Sequence, residues 1–548
     1  MIIGWADLPQ EPMADVCVIG GGAAGLTLAH ALIRSGLSAL VLEAGGRRET
    51  KASQDIYRGE LVDPRSHPWL HNFRVRAIGG ASRIWGGRCI PFDPIDFEKR
   101  DWVDGPGWPF PLEDLTPYYR AAQDSAEAGA FDYDPATALP GEQIEFAPGL
   151  DGDKLRTRLE RFSRPTNFWR RHEEALAKAA NVRVLMDAPV TAIRLTQDGR
   201  RVDHVTARRP DGQTTPIKAR RYVLALGGLE TVRLMLASND IKSAGVGNDS
   251  DKLGRFYMSH LAATVGEIDF ARPGEVAFDY ALDAGGVYVR RRLALTAETQ
   301  RQLRCLNVIF RTQLPDPSDP SHGDPILSAM FLVKDLVLYE YSRKFREASR
   351  PPWAHARHVG NILRNPGRLA LFADTWIRKR ILADRKLPSV VLGSPQGRYA
   401  LEFHAEQSPN PDSRLTLSED RDALGMPRLR ADWRMADQDI DSLAKAYEVL
   451  GRELERTGVG RLTYTHEELV EKTKAEGAYG GHHLGAARMA ADPSNGVVDP
   501  NCQVHGVKNL FVASGAIFPT SSQANPTLTI LALSLRLAEH LRLDLAGR

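Results

Sequence analysis

DVCVIGGGAAGLTLAHALIRSG, residues 15–36, decides how the rest of the chain is read. Its first six residues form a short β-branched run suited to a buried parallel strand. Gly20, Gly22 and Gly25 then space a GxGxxG, and Leu26, Ala29 and Ile33 recur at helical intervals, giving one apolar face that can lie on a sheet. A second strand, SALVLEAGG over 38–46, ends in Glu43, eighteen positions past Gly25. Strand, glycine turn, helix and acid in this order predict a dinucleotide cradle. The glycines let the backbone approach a pyrophosphate, the helix start offers unpaired N–H groups, and the carboxylate accepts a ribose hydroxyl. A negative Glu43 disfavours a 2′-phosphate, although Arg47 and Arg48 follow closely. NAD and FAD share the ADP half, so the cradle alone does not choose between them.

At 548 residues the chain exceeds the roughly 250–300 residues at which single cores stop growing, which predicts two domains. A formal charge of +2 provides no field suited to nucleic acid as the main partner. Cys17, Cys89, Cys305 and Cys502 lie far apart, with no CxxC pair and no haem attachment, and read as single thiols. The N-terminus lacks the basic start and long apolar run of a leader and reads as uncleaved. The most apolar later window, Pro325 to Tyr339, is broken by Lys334 and Asp335 and falls short of the ~18 residues that span a bilayer. Cytoplasmic localisation is the expectation.

Several further stretches resemble one family. Residues 79–87 read GGASRIWGG, 221–234 RYVLALGGLETVRL, 253–260 LGRFYMSH, 406–415 EQSPNPDSRL, and the chain closes with GHHLGAARM (481–489) and FPTSSQANPTLTILALS (518–534). In this order they resemble the glucose-methanol-choline (GMC) oxidoreductases, which bind FAD and oxidise alcohols. The resemblance implies an α/β fold, with a Rossmann-like FAD domain and a second α+β substrate domain on an antiparallel sheet. It divides the chain into FAD-domain segments 1–110, 185–264 and 476–548, a substrate-side insertion or lid over 111–184, and a substrate domain over 265–475. It also implies cofactor contacts from Gly20, Gly22, Ala23, Ala24, Gly25, Glu43, Ala44, Gly79, Gly80, Ser82, Trp85, Gly86, Gly87, Val190, Ala225, Gly227, Thr231, Ser514, Gly515, Pro526 and Thr527. The glycines around Ser82 and Trp85 suit backbone lying against a planar ligand, where a Cβ would collide; a glycine-rich surface loop is the alternative.

There are departures from the family pattern. Members that tether flavin covalently carry a histidine where this chain has Ile84, which implies non-covalent FAD. The usual threonine after Gly485 is Ala486, and the usual aspartate before FPT is Ser514.

The resemblance places the catalytic pair at His482 and Asn525. Oxidising an alcohol removes a hydride from carbon, here to flavin N5, and a proton from oxygen, which a neutral imidazole can accept while an amide orients the hydroxyl. Asn525 and Pro526 also read as N-cap and first residue of an apolar helix whose positive end could face the flavin. Neighbouring side chains of an extended segment point to opposite faces, so only one of His482 and His483 looks at the flavin: His482 is the preferred catalytic residue and His483 the alternative, the other one packing or orienting. Without the resemblance, two satisfied interior imidazoles and a plain cap would be the preferred reading. No metal site is expected.

The resemblance favours a sugar, glycoside or polyol as the alcohol substrate; an aliphatic or aryl alcohol, a non-redox FAD-containing lyase and a flavin-binding scaffold are the rivals. The electron acceptor, whether oxygen, quinone or protein, is not legible. Tyr341 to Lys386 holds twelve Lys or Arg against three acids, with Leu369, Phe372 and Trp376 at helical spacing. A solvated helical insertion on the substrate domain is the preferred reading; anionic lipid, a docked acceptor protein or a cover over the active site are alternatives.

Overall fold

The computed structural model describes residues 1–9, 13–333, 352–394 and 396–547. The strand Met13–Ile19, fully buried from Val16 onward, is the centre of an eight-stranded, mostly parallel sheet. On one side lie Ala39–Leu42, Val182–Leu185 and Ile2–Ile3, all parallel. On the other lies Thr214–Leu224, whose second half runs parallel to Met13–Ile19 and to Leu510–Val512. Its first half pairs antiparallel with Val202–Arg208, which in turn pairs with Val190–Leu195. Strands buried on both faces need no polar alternation, which is why Val16, Cys17, Val18 and Ile19 are all apolar and all buried.

A nine-stranded antiparallel sheet forms the second layer, ordered Gly460–Thr463, Met258–Phe270, Arg398–Ala405, Val308–Gln313, Tyr288–Leu295, Leu155–Phe162 and Arg88–Cys89. Tyr280–Leu282 and Tyr479–Leu484 pair onto it from the side. Tyr479–Leu484 lies in the segment given above to the FAD domain, yet it pairs with Met258–Phe270, and Leu155–Phe162 of the proposed lid is an interior strand of the same sheet. The chain thus crosses repeatedly between the two sheets, and one continuous apolar core joins them.

The α/β fold with its antiparallel second sheet is as expected. Part of the basic stretch, 341–351, lies outside the described residues. Beyond it come the helices Pro352–Arg364 and Pro366–Trp376, continued by a wider helical turn over Ile377–Leu382. In the apolar window from Pro325 the described residues form the helix Pro325–Leu332, and 334–339 lie outside them. Among the described residues no helix is long and apolar enough to cross a membrane. The four cysteines are free and buried.

Candidate active site

The glycine turn after Met13–Ile19 opens a long cavity. Gly20 has φ +111°, and a Cβ there would lie 2.4 Å from the Ala225 carbonyl oxygen, so the crossing of the two central strands requires glycine. Gly25 is needed behind the turn, where a Cβ would meet the Gly20 oxygen at 2.0 Å. Around Gly22 a Cβ would meet nothing within 4 Å, because this residue faces the cavity and starts the helix Ala23–Leu32 with no side-chain cap. The open first turn is what an anionic pyrophosphate requires.

Glu43 has a structural task besides the expected one. Its Oε2 accepts the Gly21 N–H at 2.7 Å and its Oε1 the Gly45 N–H at 2.7 Å, bracing two turns while the side chain still lines the cavity. Burial raises its pKa, against those hydrogen bonds. The glycine-rich stretch 79–87 docks onto the cradle through the Gly79 N–H, which donates to the Gly21 oxygen at 2.7 Å.

Of the contacts expected from sequence, Gly20, Gly22, Ala23, Ala24, Glu43, Ala44, Gly80, Ser82, Trp85, Val190, Ala225, Gly227, Ser514, Gly515, Pro526 and Thr527 line this cavity together with His482 and His483. Gly25, Gly79, Gly86, Gly87 and Thr231 do not. Gly25 and Gly79 pack the turn from behind, Gly87 lies against Ser163 and Pro165, and Thr231 is fully buried on the inner side of its helix. The sequence reading missed a polar wall formed by Tyr57, Arg74, Arg76, Glu230 and Arg233. Arg74 holds Glu230 at 2.8 Å and lies 3.7 Å above the Tyr57 ring, and Arg233 reaches Asp422 at 2.5 Å. Burial would raise the Glu230 pKa, but Arg233 and Arg74 hold it down to about 2. Glu230 and Arg233 share the helix Gly227–Ala237, but Tyr57, Arg74 and Arg76 come from a distant segment, and no local signal brings the two groups together.

At the other end of the cavity the two adjacent histidines part as an extended strand demands. The His482 Nε2 lies 3.2 Å from the Asn525 amide nitrogen, and its Nδ1 lies 2.8 Å from the Nδ1 of His260. The Nε2 of His260 is 3.1 Å from the Ser521 carbonyl oxygen. A carbonyl only accepts, so His260 carries its proton on Nε2 and presents a lone pair at Nδ1. The shared contact is then made by an N–H on the Nδ1 of His482, which leaves the Nε2 of His482 as a lone pair receiving the Asn525 amide. One backbone carbonyl thus fixes the tautomer of His482 two links away.

His483 ends a second chain of the same kind. Its Nδ1 contacts the Tyr257 hydroxyl at 2.7 Å, that hydroxyl contacts the Nε2 of His67 at 2.9 Å, and the Nδ1 of His67 faces the Pro68 carbonyl at 2.6 Å. The Nε2 of His483 is buried on the cavity wall with no protein partner.

Asn525 differs from its expected place. The helix runs Thr527–Leu545 with Pro526 in the capping position and no side-chain cap, because the Asn525 amide is turned to His482. The uncapped helix start opens on the cavity through Pro526 and Thr527.

His404 completes a cluster with His260 and His482 whose nitrogens lie within 4.8 Å of one another. Its Nδ1 faces the Gln523 carbonyl at 2.5 Å. Nitrogens bound to one zinc at about 2.0–2.1 Å each would stand roughly 3.3 Å apart. The 2.8 Å between His260 and His482 is instead a hydrogen bond. Burial pushes His260 down to about 4 and holds His404, His482 and His483 well below the usual imidazole range, His482 being lowered further by His260 and His483. All four are neutral at neutral pH. Near His404, Arg311 bridges the buried Glu160 and Glu402 at 2.8 and 2.9 Å. His260 closes the LGRFYMSH stretch, but no role could be read for it there, because its partners lie 222 and 261 residues away.

An open glycine cradle and an uncapped helix start that line the same cavity fit FAD there. Comparison with known proteins agrees. A family signature described as FAD dependent oxidoreductase matches residues 15–294, about half of the chain, and one described as GMC oxidoreductase matches 409–534. The chain is 25% identical to paromamine 6'-oxidase of Streptomyces fradiae, covering 100% of this chain and 94% of that protein. It is 24% identical to the fructose dehydrogenase large subunit of Gluconobacter japonicus, covering 97% and 98%. Among solved structures it is similar to pyridoxine 4-oxidase from Mesorbium loti, with a TM-score of 0.55 at 17% identity over 96% of this chain and 98% of that one.

Proposed function

The chain belongs to the GMC oxidoreductases, FAD-dependent enzymes acting on CH–OH donors, and from that premise we propose that it oxidises a sugar, glycoside or polyol with His482 as the base. The observation that carries this reading is the position of His482, a neutral imidazole on the cavity wall between Asn525 and His260. Bound FAD supplies the acceptor for the hydride of the carbinol carbon. On binding, the substrate hydroxyl takes the place of the Asn525 amide at the single lone pair of the His482 Nε2, which accepts its proton. An alcohol is a far weaker acid than imidazolium, so this transfer proceeds in step with loss of the hydride. Asn525 holds the hydroxyl and the imidazole in register, and His260 is a positioning residue that keeps the Nδ1 proton of His482 in place.

The substrate class rests on two supports. Relatives spanning nearly the whole chain are named for paromamine and fructose. In addition, the ring of His404 lies against those of His260 and His482, and its buried Nε2 is left without a hydrogen-bond donor from the protein. A polyhydroxyl ligand supplies such a donor, whereas a hydrocarbon alcohol leaves the nitrogen stranded.

FAD is held without a covalent bond in this reading, because Ile84 offers no nucleophile and the Ser82 hydroxyl donates to the Gly79 carbonyl at 2.6 Å. Four separate free thiols suit the cytoplasm. The test is anaerobic: under argon, sugars and polyols bleach the flavin and simple aliphatic or aryl alcohols do so far more slowly. Bleaching by no alcohol would leave a lyase or a flavin-binding scaffold.

A further inference from the structure

The helices after residue 351 present the wrong face to water. In Pro352–Arg364 the inner side carries Ala354, His358 and Asn361, one turn apart and buried. His358 bonds the Ser328 hydroxyl at 3.1 Å, and Asn361 donates to the Pro320 carbonyl at 2.9 Å. The outer side carries Val359 and Leu363, the latter 73% exposed. In Pro366–Trp376, Phe372 and Trp376 turn inward onto Leu314, Leu327 and Val390, while Leu371 remains 69% exposed. Ile377, Ile381 and Leu382 continue the exposed apolar set, and Trp353 begins it. Seven of the nineteen large exposed hydrophobic side chains among the described residues thus fall within thirty residues of chain. Exposed apolar side chains are normal when scattered; concentrated in this way they mark a contact surface.

The charge in the same segment selects the partner. Residues 352–386 hold eight Lys or Arg and two acids. Both acids are occupied: Asp374 by Arg378 at 2.9 Å and Asp384 by Arg164 at 3.0 Å. No acid of the segment therefore remains for Arg357, Arg364, Lys379 and Lys386, all exposed. Cations and apolar groups are interspersed along the chain, Leu363 beside Arg364 and Arg378–Lys379–Arg380 between Ile377 and Ile381. A protein interface concentrates its apolar residues and depletes lysine from their midst. A bilayer surface accepts both at once, the apolar groups entering the acyl boundary while the long cationic side chains reach back to phosphate.

We propose that the helical segment 352–382 seats this enzyme on an anionic lipid bilayer surface, through Leu363, Leu371, Ile381 and Leu382 as inserted groups and Arg364 and Lys379 among the phosphates. The segment reads as a monotopic contact, consistent with the absence of a spanning helix among the described residues. The structure reverses the preference for a merely solvated insertion, because it is the apolar side chains that the fold leaves outside.

Flotation of the purified, FAD-loaded enzyme tests this. Vesicles of phosphatidylcholine with roughly one lipid in three phosphatidylglycerol are expected to carry the protein up a density gradient at low salt, and pure phosphatidylcholine to carry at least about tenfold less. About 1 M salt, with a screening length near 3 Å, should weaken the association. The variants Leu363→Glu with Leu371→Glu, and Arg364→Glu with Lys379→Glu, should remain at the bottom while keeping wild-type melting temperature and turnover, since all four side chains are exposed. Wild-type enzyme that stays down with anionic vesicles overturns the proposal, as do variants that float like wild type. A self-associated wild type that the Leu variant renders monomeric, without flotation of either, would make the face a contact between copies and equally end the lipid assignment.

Discussion

The Nδ1 of His260 stands 2.8 Å from the Nδ1 of His482, with the Ser521 carbonyl 3.1 Å from the far nitrogen of His260. Two imidazoles that meet at like-named nitrogens need one proton between them, and the carbonyl dictates which ring supplies it. The resulting lone pair on the His482 Nε2 points to Asn525. Catalysis in this account depends on that tautomer as much as on the residue.

Removing the acceptor should therefore weaken catalysis without emptying the site. His260→Phe is expected to lower the anaerobic reduction rate by about one to two orders of magnitude, a share of the usual general-base contribution, with little change in KM. His260→Asn can still present an oxygen to the His482 N–H and should recover part of the rate. Equal damage from both variants would reduce His260 to a packing residue.

Asn525→Asp tests the electrostatics at the other nitrogen. A carboxylate about 3.2 Å from the His482 Nε2 would favour the protonated ring and raise its pKa from far below the usual range. The rate of flavin reduction by substrate should then fall as the pH is lowered through the neutral range, where the wild-type rate stays flat. A variant whose acid limb does not move would place Asn525 away from the base.

The buried histidines also set an acid limit on stability. His260, His404, His482 and His483 all have folded pKa values below the ordinary value near 6.5. The unfolded chain therefore takes up protons before the folded one does. Their contribution is fully present above about pH 6.5 and is lost as pH falls from there toward the folded values, about 4 for His260. These four groups should lower the melting temperature as pH falls from about 6.5 to 4.5, against the opposing gain from Asp96 and Asp439, whose carboxyls burial pushes up to about 7 and about 6. Replacing His404, whose ring packs against His260 but which hydrogen-bonds the Gln523 carbonyl rather than the tautomer chain, by Gln should flatten that drop.

Gly20→Ala should cost the cradle itself. Both the positive φ and the 2.4 Å approach to the Ala225 carbonyl oppose a Cβ, and a strained residue of this kind costs on the order of 1–3 kcal/mol before the steric overlap is counted. Colourless or insoluble protein is the expected outcome. Gly22→Ala, where a Cβ has free space in the protein, should fold normally and weaken only FAD retention.

How much of this was legible depends on range. The cradle was readable because strand, glycines, helix and acid are consecutive, and each has a local physical reason. Strand geometry sends His482 and His483 into different hydrogen-bond chains, yet both line the cavity, so it did not by itself separate the base from its neighbour. The tautomer chain was not readable: His260, Ser521 and Asn525 reach His482 from three distant segments, and a hydrogen bond across 222 residues leaves no periodicity behind. The same holds for Arg74 with Glu230 and for Arg233 with Asp422. Asn525 misled in an instructive way, since an Asn–Pro start is a strong capping signal and the fold diverts the amide to the active site.

The most direct measurement of the central claim is anaerobic stopped-flow reduction of the FAD-loaded His482→Ala variant by the best sugar or polyol substrate. The account predicts a yellow protein with normal flavin content whose bleaching is slower than wild type by about two to four orders of magnitude. Bleaching at near wild-type rate would contradict it and move the base elsewhere, to the unpartnered Nε2 of His483 first.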